Sequence, residues 1–276
     1  MSITPQALKS RPECFLRMTG VSIEVFEKIA LDCTPLWEDT LIKTKHLPGR
    51  PYGLPDIEMH LLGLLLYYRC YTTQLYLGFL FNVSESCICR SIKRLEPILA
   101  KTVALKKDRT MTQEELEDMI IDCTEQPIQR PKKKQKKYYS GKKKRHTLKT
   151  ELRIRGDGKI LSTSPPTPGK VHDFNIYKAG KPPPPRCRVY ADSGYQGLEK
   201  KHNQTEIPFK KPKKGKLTPE EKEYNHALSS YRVRVEHKIG ELKVFKILSD
   251  TYRNFRKGYG LKMNIVTGIV NLKNGF

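Results

Sequence analysis

The stretch MIIDC, residues 119–123, is a short apolar run that ends in a carboxylate. The stretch RVYAD, residues 188–192, has the same form and is followed by Ser193 and Gly194, which favour a turn. Between the two stretches, residues 147–155 alternate between apolar and polar side chains, which is the period of a β-strand. Asp157-Gly158 is a hairpin-turn signal, and Ile160 begins a returning strand. Residues from about 106 to 215 therefore predict a sheet in which two strands end in acids.

The alternating strand is expected to have two different faces. One face consists of Leu148, Thr150, Leu152 and Ile154, and the other of Lys149, Glu151, Arg153 and Arg155. After Gly169, a helix is predicted to begin near His172 and Asp173. Residues 207–209 predict a short edge strand, since the proline at its centre lacks the N–H that an inner strand needs.

A long helix is predicted from Thr218 to about Leu248. Thr218 is placed to cap it, Pro219 fits its first position, and Glu221 completes a capping box. Its apolar stripe is Tyr224, Leu228, Tyr231, Val235, Ile239 and Leu242. Arg232, Glu236 and Lys243 are spaced four and seven apart, so they lie together on another side of the helix.

Residues 1 to about 105 predict an all-helical region. Ser22 is placed to cap a helix that buries Phe26, Ile29 and Ala30, and a linker rich in proline and glycine follows at residues 48–55. Asp56, Thr73 and Ser84 are placed to cap three further helices, and Asn82 fits a left-handed turn between the last two.

The last of these helices has an apolar and a basic face. Ile88, Ile92 and Leu95 form the apolar face, whereas Ser86, Arg90, Lys93 and Arg94 are expected to project outward. Two helices joined by a short turn, the second with a basic face, match the helix-turn-helix plan of DNA-binding proteins. An ordinary helical hairpin is the alternative, and the net charge of the chain favours DNA binding.

That charge is strongly positive. The 276 residues contain 52 Lys and Arg against 29 Asp and Glu, a formal net charge of +23, and 37% of them are apolar, as in globular proteins. Such a field attracts a polyanion, most commonly nucleic acid. An anionic membrane surface is the alternative. Ten Lys and Arg lie between Arg130 and Arg145 without an acid, and a second basic run spans residues 210–216.

The cysteines and the apolar segments bear on the compartment. Seven cysteines are scattered without a CxxC pair, which is typical of reduced thiols in a cytosolic protein. The first residues lack the apolar stretch of a secretion signal, and the most apolar run, residues 61–68, is far shorter than the ~20 residues that span a bilayer. We therefore expect a cytoplasmic protein, associated with the nucleoid if the source is bacterial.

The acids suggest a chemistry. Two divalent cations can stabilise the attacking and the leaving oxygen of phosphodiester cleavage, and Mg²⁺ is held mainly by carboxylates. Asp122 and Asp192 each follow an apolar strand, and Glu236 lies on the late helix. Each acid taken alone has a structural alternative: a turn residue for either aspartate, and an ion pair with Arg232 for Glu236.

Five blocks in order, IIDCTEQPI, SGKKKRHTLK, HDFNIY, YADSGYQG and YRVRVEHKIGELK, resemble insertion-sequence transposases of the DDE superfamily. The resemblance covers about residues 105–250, and its nearest branch is the IS-five group, related to the eukaryotic Harbinger-type nucleases. It implies an α/β, ribonuclease-H-like catalytic domain, with a mixed sheet flanked by helices.

By matching blocks, the resemblance also implies that Asp122, Asp192 and Glu236 bind two Mg²⁺ or Mn²⁺ ions. Arg232 and Lys243 fit the spacing of two supporting residues in the same blocks. The family places a tyrosine at position 229, where this chain has Ser229, so no tyrosine is assigned a role.

Several further residues are candidates for supporting roles. His172 and Asp173 match a family block and either support the metal site or orient DNA, with a helix cap by Asp173 as the alternative. Glu125 is an alternative acid, although an exposed turn position is favoured for it. The basic runs provide candidates for backbone contacts, with solvated loops as the alternative: Lys142, Lys143, Lys144, Arg145, Lys213 and Lys214.

These observations predict a helical DNA-binding region at residues 1–105, with a helix-turn-helix at about 56–101, and a catalytic domain at 106–276. The expected function is a DNA transposase that binds terminal inverted repeats, cleaves DNA and joins the 3′-hydroxyl ends to target DNA. Two alternatives stay open: a DNA-binding regulator that no longer cuts, and an endonuclease without strand transfer. Because two element ends must be handled together, a homodimer or higher assembly on double-stranded DNA is expected.

Overall fold

The computed structural model describes residues 3–44, 52–105, 117–212 and 215–276. Contacts divide the chain into two compact units. The helical unit contains the described residues up to Leu105, together with Leu242–Asp250 and Asn254–Phe276. The sheet unit contains the remaining described residues up to Glu241, together with Thr251–Arg253.

Besides 3-10 turns at Lys246–Leu248 and Arg256–Gly258, the described part of the helical unit is built from α-helices. They are α1 (Pro5–Lys9), α2 (Pro12–Thr19), α3 (Ile23–Thr44), α4 (Ile57–Cys70), α5 (Gln74–Phe81), α6 (Glu85–Thr102) and, at the end of the chain, α10 (Tyr259–Lys273). The core of this unit includes the predicted apolar residues Phe26, Ile29 and Ala30 on α3, and Ile88, Ile92 and Leu95 on α6.

The helix caps predicted from the sequence are confirmed. The side chains of Asp56, Thr73 and Ser84 each accept a hydrogen bond from the backbone N–H three residues later, at 2.8, 3.1 and 3.3 Å. These bonds satisfy N–H groups that the first helical turn leaves without partners. Asn82 ends α5 in the left-handed conformation at φ 53°, as expected for the turn before α6.

The C-terminal helix α10 belongs to the helical unit, which a division of the sequence at residue 105 does not anticipate. Ile265, Val266 and Ile269 are fully buried. Gly268 permits close approach to the end of α6, because a methyl group there would lie 1.9 Å from the carbonyl oxygen of Val103. Lys262 of the same helix forms a 2.8 Å ion pair with the buried Glu96 of α6.

The sheet unit contains a mixed sheet and its flanking helices. In chain order its elements are β1 (Asp118–Pro127), α7 (Gln135–Tyr138), β2 (Tyr139–Ser140), β3 (Arg145–Arg155), β4 (Ile160–Thr163), β5 (Thr167–Pro168), α8 (Asp173–Ala179), β6 (Arg188–Tyr190), β7 (Thr205–Glu206) and α9 (Pro219–Val244). The last three residues of α9 are grouped with the helical unit.

The strand order is β2-β3-β1-β6-β7, and β4 and β5 also pair with β3. Strand β1 pairs antiparallel with β3 and parallel with β6, which in turn pairs parallel with β7. One face of the sheet buries Met119, Ile121 and Val189 with Tyr177 of α8. Tyr190 follows Val189 in β6, so its side chain lies on the opposite face of the sheet. There its ring lies 4.2 Å from that of Tyr231 on α9. Helices therefore flank both faces, as predicted.

Several strand boundaries differ from the prediction. Strand β1 does not end at the acid but continues to Pro127, because its pairing with β3 extends to Pro127 opposite Thr147. The edge strand β7 lies at 205–206 and not at 207–209, where Pro208 cannot donate to a ladder. The predicted hairpin at Asp157-Gly158 is confirmed, with Arg155 N–H donating to the carbonyl of Lys159 at 2.9 Å.

The long helix begins as expected. The N–H of Thr218 donates to Glu221 at 2.9 Å, and the N–H of Glu221 donates to the hydroxyl of Thr218 at 3.2 Å, which confirms the capping box. In the predicted stripe, Leu228, Val235 and Leu242 are buried. The helix ends at Val244, and the residues up to Leu248 form a separate 3-10 turn.

Candidate active site and nucleic-acid interface

Asp122 lies on β1, and Asp192 follows the neighbouring parallel strand β6. The β1–β6 register pairs Ile120 with Tyr190, and continuing it by two residues puts Asp122 opposite Asp192. Asp192 caps the 3-10 turn Ser193–Tyr195, and one of its oxygens accepts a 2.7 Å hydrogen bond from the N–H of Gly194. One oxygen of Asp122 accepts a 2.7 Å hydrogen bond from the N–H of Cys123. Each carboxylate is therefore held by a backbone N–H, for Asp122 within β1 and for Asp192 in the turn after β6.

The environment of Asp122 is unfavourable for an isolated carboxylate. Burial and the charge of Asp192 raise the pKa of Asp122 to about 6, while the Cys123 N–H and the charge of Arg232 oppose the rise. At neutral pH the group is still mainly ionised. Two close carboxylates in a partly buried site form a concentrated negative charge that a divalent cation would neutralise.

Asp173 is a third acid near this pair. It is the first residue of α8, and its carboxylate forms a 2.9 Å ion pair with Lys149. Its charge also contributes to raising the pKa of Asp122. A methyl group on Gly194 would lie 2.8 Å from Oδ1 of Asp192 and 3.1 Å from Oδ2 of Asp173, so both acids border the same glycine. The helix-cap alternative for Asp173 is wrong: His172 holds the cap position, without a side-chain cap bond.

Lys149 links Asp173 to Glu125. Its ammonium group lies 2.9 Å from Asp173, 3.1 Å from Glu125 and 3.0 Å from the carbonyl oxygen of Val171. The side chain of Glu125 is only 8% exposed and also accepts a 3.2 Å hydrogen bond from Thr147. The expectation of an exposed turn position for Glu125 is therefore wrong, because β1 continues past Asp122 and carries Glu125 into the sheet.

The structure contains a buried polar network near the acids that was not predicted from the sequence. Glu151 is 1% exposed and forms a 2.8 Å ion pair with Arg153. The hydroxyl of Tyr195 donates to Glu151 at 3.4 Å and lies 3.2 Å from the sulfur of Cys123. Burial raises the pKa values of Glu151, Cys123 and Tyr195. The sequence pattern does not predict this network, because polar residues alternate along β3 in the same way whether that face is covered by α8 or exposed to water.

The residues predicted on α9 lie in different surroundings. Arg232 is half-buried and close enough to lower the pKa of Asp122, and its Nε is buried without a hydrogen-bond partner among the described residues. Glu236, one turn later, is exposed, and Lys243 is half-buried. Among the described residues, no three His, Cys, Asp or Glu side chains converge to hold a metal ion. The assignment of Glu236 as third ligand stays a prediction.

The helix-turn-helix region presents part of its predicted face. Ser86, Arg90 and Lys93 are exposed on α6. Arg94 is half-buried, and its guanidinium lies 3.9 Å from the ring centre of Tyr52, so its contact with DNA stays a prediction. Sequence spacing could not reveal this stacking, since Tyr52 belongs to the linker before α4.

A buried histidine fixes the packing of α6. His60 of α4 lies 2.6 Å from the hydroxyl of Ser91 on α6 and 3.2 Å from the carbonyl oxygen of Leu54. Burial lowers the pKa of His60 to about 4, so the ring is neutral at physiological pH. One ring nitrogen then donates to Leu54 and the other accepts from Ser91.

Two comparisons with protein families match this chain. The model of the DDE superfamily endonuclease matches residues 121–274, and the model of the helix-turn-helix of DDE superfamily endonucleases matches residues 53–104. The chain belongs to the DDE superfamily of endonucleases. It is therefore a metal-dependent DNA-cleaving enzyme, and superfamily members generally use divalent ions. The superfamily is ribonuclease-H-like, so the predicted α/β fold behind a helix-turn-helix region is confirmed.

Relatives of this DDE endonuclease occur over nearly its whole length. It is 40% identical, over 264 residues and 93% of each chain, to the protein of Microchaete diplosiphon described as a transposase for insertion sequence element IS702. It is 26% identical, over 87% of its length and 88% of the relative, to a protein of Streptomyces albus G described as a transposase for insertion sequence element IS112. No solved structure matches.

The first basic run of the endonuclease is folded. Its residues form α7 and the hairpin of β2 and β3, where Lys142, Lys143, Lys144 and Arg145 are exposed at the turn. The N–H of Lys143 donates to the hydroxyl of Ser140 at 3.2 Å. The run therefore combines regular secondary structure with an exposed turn, and both the DNA-contact interpretation and the solvated-loop alternative stay open. Lys213 and Lys214 of the second run lie outside the described residues.

All seven cysteines lie in described parts of the chain and carry free thiols. Within the ranges that the structure describes, none of the helices has the length and apolarity needed to span a bilayer.

Proposed function

We propose that this DDE endonuclease is the transposase of an insertion sequence, which cleaves DNA at the element ends and joins the 3′-hydroxyl ends to target DNA. The observation that carries the proposal is the placement of Asp122, inside β1, opposite Asp192, which follows the neighbouring parallel strand β6. The names of the two relatives, both transposases of insertion sequences, support the same activity.

The residues fit a divalent metal site. Asp122 and Asp192 offer the hard oxygen ligands that Mg²⁺ and Mn²⁺ prefer, and burial together with the charge of Asp192 raises the pKa of Asp122. When bound, two such ions stabilise the charge on the attacking and leaving oxygens of phosphoryl transfer. Glu236 is proposed as the third metal ligand from its spacing to Arg232 and Lys243.

Arg232 and Lys243 are proposed to support this chemistry through phosphate. The buried Nε of Arg232 has no hydrogen-bond partner among the described residues, although it lies near Asp122. A donor in this state costs free energy unless a ligand accepts from it, and a phosphate oxygen is a suitable acceptor. His172 and Asp173 are proposed to support the site, with Asp173 held by Lys149.

DNA recognition is assigned to two surfaces. Ser86, Arg90 and Lys93 on the second helix of the helix-turn-helix are proposed to read the terminal inverted repeats in the major groove. The hairpin residues Lys142, Lys143, Lys144 and Arg145 are proposed to contact the phosphate backbone, which positions DNA without reading its sequence. Lys213 and Lys214 are proposed for the same role from their charge.

Assembly and location follow from the chemistry. Two element ends have to be cut and joined together, so a homodimer or higher assembly on double-stranded DNA is proposed. Work on chromosomal DNA requires a cytoplasmic protein associated with the nucleoid in a bacterial host.

The proposal is tested by incubating the full chain with a duplex that carries one element end and Mg²⁺ or Mn²⁺. Wild type is expected to release a 3′-hydroxyl end and to join it to a second duplex, and Asp192→Asn to yield neither product. Asp157→Asn, a change of the same kind at an exposed turn, is the matched control and retains both products. Binding without products would favour a regulator that no longer cuts, and cleavage without joining would favour an endonuclease.

A further inference from the structure

Phe255 is the most exposed large apolar side chain among the described residues. It is 93% exposed and lies in the turn Asn254–Gly258 that leads into α10. An aromatic ring left in water contributes nothing to the core, although burial of such a side chain would remove about 150–250 Å² from solvent. A ring in this position is available to a ligand.

The backbone that carries Phe255 is fixed. The hydroxyl of Tyr67 on α4 donates a 2.9 Å hydrogen bond to the side-chain oxygen of Asn254, directly before the phenylalanine. The N–H of Gly258 donates to the carbonyl oxygen of Phe255 at 3.0 Å, and Tyr259 is buried. The ring is therefore presented from an anchored turn, so less ordering is needed when a ligand binds.

Positively charged residues adjoin the ring in the sequence. Arg256 and Lys257 follow it directly and are exposed. The sequence contains no Asp or Glu after Asp250, whereas Lys and Arg occur five times in that stretch. An exposed aromatic ring followed by two exposed cations matches the two parts of a nucleotide, since the base offers a face for stacking and the phosphates carry negative charge.

We infer that Phe255, Arg256 and Lys257 form a binding site for an unpaired base of DNA, with the ring stacked on the base and the two cations on the adjoining phosphates. In an intact duplex both faces of each inner base are covered by its neighbours, so the ring can stack only where strands are open. The inference rests on the proposed function in that DNA is the ligand. It adds a contact with single-stranded DNA that neither the helix-turn-helix nor the paired acids provide.

The test compares two labelled DNA probes, a 20-nucleotide single strand and the matching duplex, by fluorescence anisotropy with the full chain. Phe255→Ala is expected to weaken binding of the single strand about ten- to a hundredfold, the effect of losing one stacked base, and binding of the duplex less than twofold. Phe255→Trp keeps an aromatic ring for stacking, so its affinity for the single strand is expected to stay within about threefold of wild type. Leu31→Ala, a truncation of another exposed apolar side chain in the helical unit, is the matched control and leaves both affinities unchanged.

A spectroscopic readout separates stacking from general loss of affinity. The emission of 2-aminopurine falls when the base stacks, so a single strand carrying it is expected to lose emission on binding wild type and Phe255→Trp, but not Phe255→Ala. Equal affinity and equal quenching for wild type and Phe255→Ala would overturn the inference. If Phe255→Ala changes only the oligomeric state of the free protein, measured by sedimentation, the ring is instead a contact between copies of the chain. If wild type binds neither probe, the proposed function fails as well.

Discussion

Asp192 follows the strand next to that of Asp122, and its charge adds to burial in raising the pKa of the Asp122 carboxyl to about 6. The pair is therefore placed at a cost to the stability of the free protein. Such a cost is common at sites arranged for a ligand that the free protein lacks. It also makes the site accessible to stability measurements that need no DNA.

Without metal, Asp122→Asn is expected to raise the free energy of unfolding at pH 7 by up to about 3 kcal/mol, from a pKa raised by about two units. The folded pKa lies above the unfolded value, so the wild-type carboxyl contributes most stability below the unfolded value near 3.8 and loses it as the pH rises through 6. The gain in the variant should therefore be near zero at pH 4. Chemical denaturation in EDTA at both pH values measures it.

Asp157 provides a matched control, because its pKa is shifted in the opposite direction. The hydrogen bond from Arg155 lowers the pKa of Asp157, so Asp157→Asn should not stabilise the protein at pH 7. If Asp122→Asn is no more stable than wild type at pH 7, burial and the neighbouring charge do not act on Asp122 as the structure indicates.

Divalent metal is expected to reverse this cost. At a concentration tenfold above its dissociation constant, Mg²⁺ or Mn²⁺ should raise the free energy of unfolding of wild type by about 1.4 kcal/mol, since it binds only the folded site. Asp122→Asn and Asp192→Asn should each lose most of this increment, because each removes a charged ligand. Denaturant titrations with and without metal measure the difference. If either variant gains as much stability from the metal as wild type does, the metal binds elsewhere.

The same titration decides the part of Glu236. If its carboxylate is the third ligand, Glu236→Gln should reduce the metal-dependent rise in the free energy of unfolding, as the aspartate variants do. Glu241→Gln, a change of the same kind one turn further along α9, is the control and should leave it intact. A full increment in Glu236→Gln would remove Glu236 from the metal site.

Gly194→Ala is expected to impair cleavage without unfolding the protein. The added methyl would lie 2.8 Å from Oδ1 of Asp192 and 3.1 Å from Oδ2 of Asp173, so at least one carboxylate must shift. Displacement of a catalytic group by a few tenths of an ångström to one ångström predicts a loss of about ten- to a hundredfold in cleavage rate. Gly240→Ala on α9, where the methyl meets no atom within 4 Å, should cleave at the wild-type rate. Equal rates for both variants would contradict this arrangement of the acids.

Local rules account for what the sequence predicted well. Helix starts at Asp56, Thr73, Ser84 and Thr218 depend on a side chain and an N–H three residues apart, so the sequence alone determines them. The two strands that precede Asp122 and Asp192 are apolar because helices or neighbouring strands cover them, and this also shows in a short window of sequence.

What the sequence did not predict depends on partners that are distant along the chain. Arg94 has the spacing of an outward-facing residue, but Tyr52 lies beneath it. Glu151 alternates like a residue on a solvated face, but Arg153 and Tyr195 accompany it in the interior. Helix phase places Glu236 on the side of α9 that carries Arg232, but it does not fix its distance from the acids on the sheet.

The hairpin of β2 and β3 provides a last prediction, about salt dependence. Changing Lys142, Lys143 and Lys144 together to Gln removes three exposed charges from a structured turn. If these lysines contact phosphates, each contributes about 0.9 to the slope of log affinity against log salt, so the slope should fall by about two to three. Preference for element-end DNA over unrelated DNA should stay within about twofold, since phosphate contacts carry no sequence information. Arg90→Gln on α6 should reduce that preference.

The control for bulk electrostatics changes Lys28, Lys101 and Lys246 to Gln, which lowers the net charge by the same amount. An unchanged slope in the hairpin variant, measured by anisotropy between 50 and 200 mM salt, would mean that the hairpin does not contact the DNA.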